Sequence, residues 1–71
     1  MPVNNLKEYR TRFGLSQVKL GGISGYSPLL IGAIERGDRK SWPRIRKQLA
    51  KVLGVAEAVL FPTEGDDQSA R

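Results

Sequence analysis

The sequence predicts an all-α fold of five short helices in one domain. Three observations predict it. Apolar side chains recur at spacings of three and four along most of the chain. Single glycines and prolines separate the segments so marked, at places where helices start and stop. With 71 residues, no Cys and no His, the chain has neither disulfides nor a zinc site of the usual kind, which leaves helix packing to hold it together.

The first helix is expected from about Asn5 to Phe13, because Leu6, Tyr9 and Phe13 share one face, with Asn4 or Asn5 as cap and Gly14 as stop. The second opens at Ser16, a good N-cap, and carries Leu20 and Ile23 inward. Gly21 and Gly22 each lower its helix propensity by roughly 1 kcal/mol, so packing must hold it. The glycine pair fits either a close helix crossing or flexibility. Gly25 supplies a turn. Ser27-Pro28 caps and opens the third helix, with Ile31 and Ile34 facing inward and Gly37 ending it. Ser41-Trp42-Pro43 opens the fourth, whose stripe is Ile45, Leu49, Val52 and Leu53 and whose end is Gly54. Val55 to Phe61 makes a short fifth helix, stopped by Pro62. The domain therefore spans residues 1–61, and residues 62–71, with nothing large to bury, are expected to be a disordered tail.

Composition narrows the function. Lys+Arg total 12 against 7 Asp+Glu, a net charge of +5 that suits a polyanionic partner. An imidazole base and a thiolate nucleophile are excluded, and Asp66 and Asp67 lack a rigid frame for paired acid/base work, so no enzyme and no cofactor are expected. The uncharged stretch from Leu20 to Ile34 is broken by Gly21, Gly22, Gly25 and Pro28, and the start of the chain has no apolar signal core. A soluble, cytoplasmic protein without a membrane partner is the expectation.

Residues 16 to 27 read helix, glycine turn, capped helix, the layout of a helix-turn-helix. Leu15-Ser16-Gln17, Leu20, Gly25, Ser27, Ile31 and Ile34-Glu35-Arg36-Gly37 follow in ungapped order and resemble the Cro/CI-type (XRE) family of helix-turn-helix DNA-binding proteins. Leu53-Gly54-Val55 and Leu60-Phe61 extend the similarity over about Leu6 to Phe61. The resemblance implies a compact, lambda-repressor-like domain whose second motif helix enters the major groove of double-stranded DNA. It places Ser16 and Gln17 at a phosphate and Ser27, Pro28, Leu29, Leu30, Gly32 and Ala33 toward the groove. Family members usually carry polar side chains at several of the latter positions. This chain offers almost only carbon there, which suits contact with thymine methyl groups, not bidentate hydrogen bonds to bases. Ile23-Ser24 also reverses the family's more frequent polar-then-apolar order.

From Arg36 to Lys47 six cations face one acid, Asp38. Within that run the resemblance marks Arg39, Lys40 and Arg44 as phosphate contacts, with Arg36 beside them, while Arg46, Lys47 and Lys51 are expected on the solvated face of the fourth helix. Arg10 and Glu35 match an interhelical ion pair. Trp42 is expected to cover the end of the core, Tyr26 to pack under the turn, and Leu30 to be the better candidate of the two leucines for turning inward. A transcriptional repressor acting as a homodimer is implied, with Val55, Val59 and Phe61 as the dimer surface. Two rivals stand beside it: a scaffold that docks a protein partner, antitoxin-like or antirepressor-like, through the apolar third helix, and sequence-independent DNA binding by charge alone.

Overall fold

A computed structural model describes residues 3–62, and residues 63–71 of the expected tail lie outside the described residues. Its elements are α1 (Leu6–Arg12), α2 (Gln17–Ser24), α3 (Pro28–Arg36), α4 (Pro43–Leu53) and α5 (Glu57–Leu60). Among the described residues there is no strand, and no helix is long and apolar enough to cross a membrane. The fold is all-α.

The caps follow from side-chain chemistry. Asn4 Oδ1 accepts from the Leu6 N–H at 3.0 Å, and Asn4 Nδ2 donates to the Ile34 carbonyl at 2.9 Å, so one buried amide starts α1 and fixes it to α3. Ser16 Oγ accepts from the Lys19 N–H at the start of α2, and Ser27 Oγ from the Leu29 N–H at the start of α3. Pro28 and Pro43 occupy the first turns of α3 and α4, where a missing N–H leaves no intrahelical bond unmade. The fifth helix begins at Glu57, two residues later than the apolar pattern suggests, because Ala56 is still extended at ψ 144°.

Leu6, Leu20, Ile31, Ile34, Ile45, Leu49, Leu53, Leu60 and Phe61 form one buried core drawn from every helix. Tyr9, Leu15, Tyr26, Leu30, Trp42, Val52 and Val55 pack around it. Trp42 thus covers the core's edge as expected, with Tyr26 edge-on to it at 6.0 Å between ring centroids.

Four expectations are corrected. Phe13 is 53% exposed: it is the C-cap of α1, beyond the residues held to the core, and Leu15 packs in its stead after the Gly14 turn. Ile23 is 51% exposed, because α2 turns Leu20, Gly21 and Ser24 inward. The rotation is set by Gly21, where a Cβ would stand 2.5 Å from the Tyr26 carbonyl oxygen. Gly21 therefore answers to a close approach, while Gly22 faces open space. The buried Ser24 hydroxyl is satisfied by donating to the Gly21 carbonyl at 3.4 Å. Arg46 does not solvate the outer face of α4. It is buried, with Nε donating to Glu57 at 3.0 Å and Nη1 to the Ser41 carbonyl at 2.9 Å, so it ties the entry of α4 to α5. Phe61, finally, is wholly buried and has no surface to give to a dimer contact.

Candidate nucleic-acid interface

The turn between α2 and α3 decides what α3 presents. Gly25 adopts φ +86°, a left-handed conformation that costs a glycine little, and its N–H and that of Tyr26 both return to the Gly21 carbonyl. The chain then leaves in extended form at Ser27, and α3 packs by Ile31 and Ile34. Its opposite face is what remains for a partner. Leu29 is 85% exposed there, and Ala33 and Arg36 follow at spacings of four and three, so the three lie along one outward line. Pro28 is half-buried and Ser27 exposed at the same end.

The groove-facing set is therefore not uniform. Leu30 is half-buried and packs on the core, as the inward alternative for it expects. Gly32 is buried beneath side chains: a Cβ there would stand 3.2 Å from Gln17 Nε2 and 3.2 Å from Arg36 Nη1. The outward apolar surface of α3 thus consists of Pro28, Leu29 and Ala33.

Ser16 and Gln17 stand at the N-terminus of α2. Ser16 takes the Lys19 N–H, and the first-turn amides of Gln17 and Val18 have no carbonyl behind them within the helix. Such N–H groups, at the positive end of the helix dipole, suit a phosphate oxygen. Gln17 Nε2 donates to Glu35 Oε1 at 3.0 Å. Glu35 in turn receives Arg10 Nε at 2.6 Å and Nη2 at 3.2 Å, and Arg10 Nη1 donates to the Leu15 carbonyl at 2.7 Å. The Arg10 and Glu35 side chains are 9% and 3% exposed, and their pairing neutralises the carboxylate that lies nearest Gln17.

Beyond α3, Gly37 at φ +83° turns the chain, and the Asp38 N–H binds the Ala33 carbonyl at 2.9 Å. This anchors the loop that carries the cations. Arg36 is exposed and pairs directly with Asp38 at 2.9 Å, a solvent-exposed contact worth little. Arg39, Lys40 and Arg44 are exposed on the loop and at the start of α4, with Lys47 one turn further. Arg44 also borders an open cleft of about 510 Å³ that Ser24, Gly25, Tyr26, Trp42 and Gln48 complete. Among the described residues no group of carboxylates could hold a metal ion.

The outward apolar residues of α3 thus share the helix with Gly32, over which the α2 N-terminal Gln17 lies, and with Ala33, whose carbonyl anchors the cationic loop. This is the layout of a DNA-binding helix-turn-helix. Residues 6–60 match the helix-turn-helix family, and the chain belongs to that family, in its XRE-type branch, a class of DNA-binding regulators and not of enzymes. It is 51% identical over 35 residues to a Bacillus subtilis (strain 168) protein described as "Uncharacterized HTH-type transcriptional regulator YgzD". That match covers 49% of this chain and 53% of the relative, so the chain spans about half the length of the curated relative it matches. No solved structure matches the chain significantly.

The residue pattern did not reveal the Gln17–Glu35 hydrogen bond or the burial of Gly32 beneath Gln17. A helix-interior glycine one residue before Ala33 and three before Glu35 was the available signal. Spacing within α3 alone could not say that the side chain lying over it comes from α2.

Proposed function

We propose that the chain is a sequence-specific transcriptional regulator that represses by occupying operator DNA as a homodimer, in the cytoplasm and at the nucleoid. The observation that carries this reading is Leu29, left almost wholly in solvent on a rigidly capped helix and flanked by an anion-suited helix end and a cationic loop. A leucine so placed costs solubility and contributes nothing to the core, yet it fits the C5-methyl groups that thymine displays in the major groove. Family membership supports the DNA partner, and the description of the Bacillus subtilis relative supports a role in transcription.

In this reading Ser27, Pro28, Leu29 and Ala33 face the groove, and Ser16, Gln17, Arg36, Arg39, Lys40 and Arg44 hold phosphates on either side. Leu30 and Gly32 act from behind, as packing. A second copy meets the first through Val59, 38% exposed, and the neighbouring Val55. Protein two-fold symmetry would then impose near-palindromic half-sites about 34–36 Å apart.

Selection of bound duplexes from a random pool at fixed salt tests the reading. Enrichment of symmetric, T-rich half-sites over bulk DNA supports it. Retention of all duplexes alike would leave charge alone as the basis of binding. The exposure of Leu29 equally favours docking of a protein on α3. Replacing Arg39 and Lys40 by Ala separates the two, since it weakens retention on DNA and leaves a protein contact nearly intact.

A further inference from the structure

Gln17 can serve a phosphate only if its amide is held at the surface in a fixed orientation, and three residues arrange this. Glu35 accepts one Nε2 proton at 3.0 Å; an amide nitrogen carries two, so the second remains to be donated. Arg10 fixes the carboxylate in two-point contact and cancels its charge, so that a phosphate can approach. Gly32 leaves the space in which the amide lies: a Cβ there would stand 3.2 Å from Gln17 Nε2 and 3.3 Å from Gln17 Oε1. To admit such a Cβ the Gln17 amide must give by a few tenths of an ångström, which shifts it relative to Glu35.

We propose that Gly32 is a positioning residue for the DNA backbone: its lack of a side chain seats the Gln17 amide against α3, where Glu35 turns one N–H inward and leaves the other for a phosphate. This rests on the DNA-binding reading above. It gives Gly32 a role distinct from contact with bases, and it explains why a helix of nine residues carries a residue of poor helix propensity at its centre. Helix propensity favours Ala there, so stability and binding pull in opposite directions.

That opposition makes the test specific. Gly32→Ala, Gln17→Ala and the double variant are compared with the unaltered chain by thermal melting and by titration with a short mixed-sequence duplex at low salt. Gly32→Ala is expected to melt no lower than the parent while binding about 3–10-fold more weakly, the loss of one hydrogen bond. Gln17→Ala is expected to lose a similar factor, and the double variant no more than either, because both remove the same contact. Unchanged binding by Gly32→Ala, or losses that multiply in the double variant, would overturn the inference while leaving the DNA reading intact. Failure of the unaltered chain to bind the duplex at all would overturn both.

Discussion

The Tyr26 carbonyl oxygen stands 2.5 Å from the place a Cβ on Gly21 would occupy, and Pro28 lies 3.2 Å from that same place. The entry to α3 is thereby pressed directly onto the backbone of α2. A methyl group at Gly21 must push the turn away, and backbone cannot yield as a flexible side-chain tip does. Gly21→Ala is expected to destabilise the domain by about 2–3 kcal/mol, as overpacking does. Gly22 meets nothing within 4 Å, so Gly22→Ala is expected to stabilise by up to about 1 kcal/mol through helix propensity. Urea unfolding of the two variants checks the contrast; equal effects would contradict it.

Arg46 is buried with Glu57 as its charged partner, whereas Glu57 is 31% exposed and can be hydrated. Removing one partner is therefore not equivalent to removing the other. Glu57→Ala strands a buried guanidinium and is expected to cost about 3 kcal/mol. Arg46→Met, which fills the space with an apolar chain, is expected to cost less than half of that. Denaturant midpoints at constant slope decide the order.

Arg39 and Lys40 stand on the loop that Gly37 and the Ala33 carbonyl anchor. Charge neutralisation of a phosphate releases counterions, at about 0.9 in log–log salt slope per contact. Replacing both by Ala is expected to lower the slope by roughly 1.8 and to weaken binding to every duplex by a similar factor. Duplex titrations over a range of salt concentrations supply the slope, and an unaltered slope would place the phosphate contacts elsewhere.

Much of this architecture is legible in the residue order, for physical reasons. Ser16, Ser27, Pro28, Gly25 and Gly37 act within one turn of themselves, so their sequence positions determine caps and turns directly. Ile31, Ile34, Ile45, Leu49 and Leu53 are placed by helical period alone. What escaped depends on contacts between distant segments. Ile23 has the hydrophobicity of a core residue, but the rotation of α2 is set by Tyr26 and Pro28 pressing on Gly21. Phe13 has the right angle on α1 and the wrong height. Arg46 reads as a surface cation until Glu57, eleven residues on, is brought beside it by the Gly54 turn. At the interface the exposure of Leu29 matches the periodic expectation, whereas the burial of Gly32 comes from a side chain on another helix.

Contact between Leu29 and thymine methyl groups in the groove is checked by comparing a selected duplex with the same duplex carrying uracil for thymine, which removes the C5-methyl and keeps every hydrogen-bonding group. The parent chain is expected to bind the uracil duplex more weakly, and Leu29→Ala to show a smaller difference between the two duplexes. Equal affinity of the parent chain for the two duplexes would contradict methyl readout by α3.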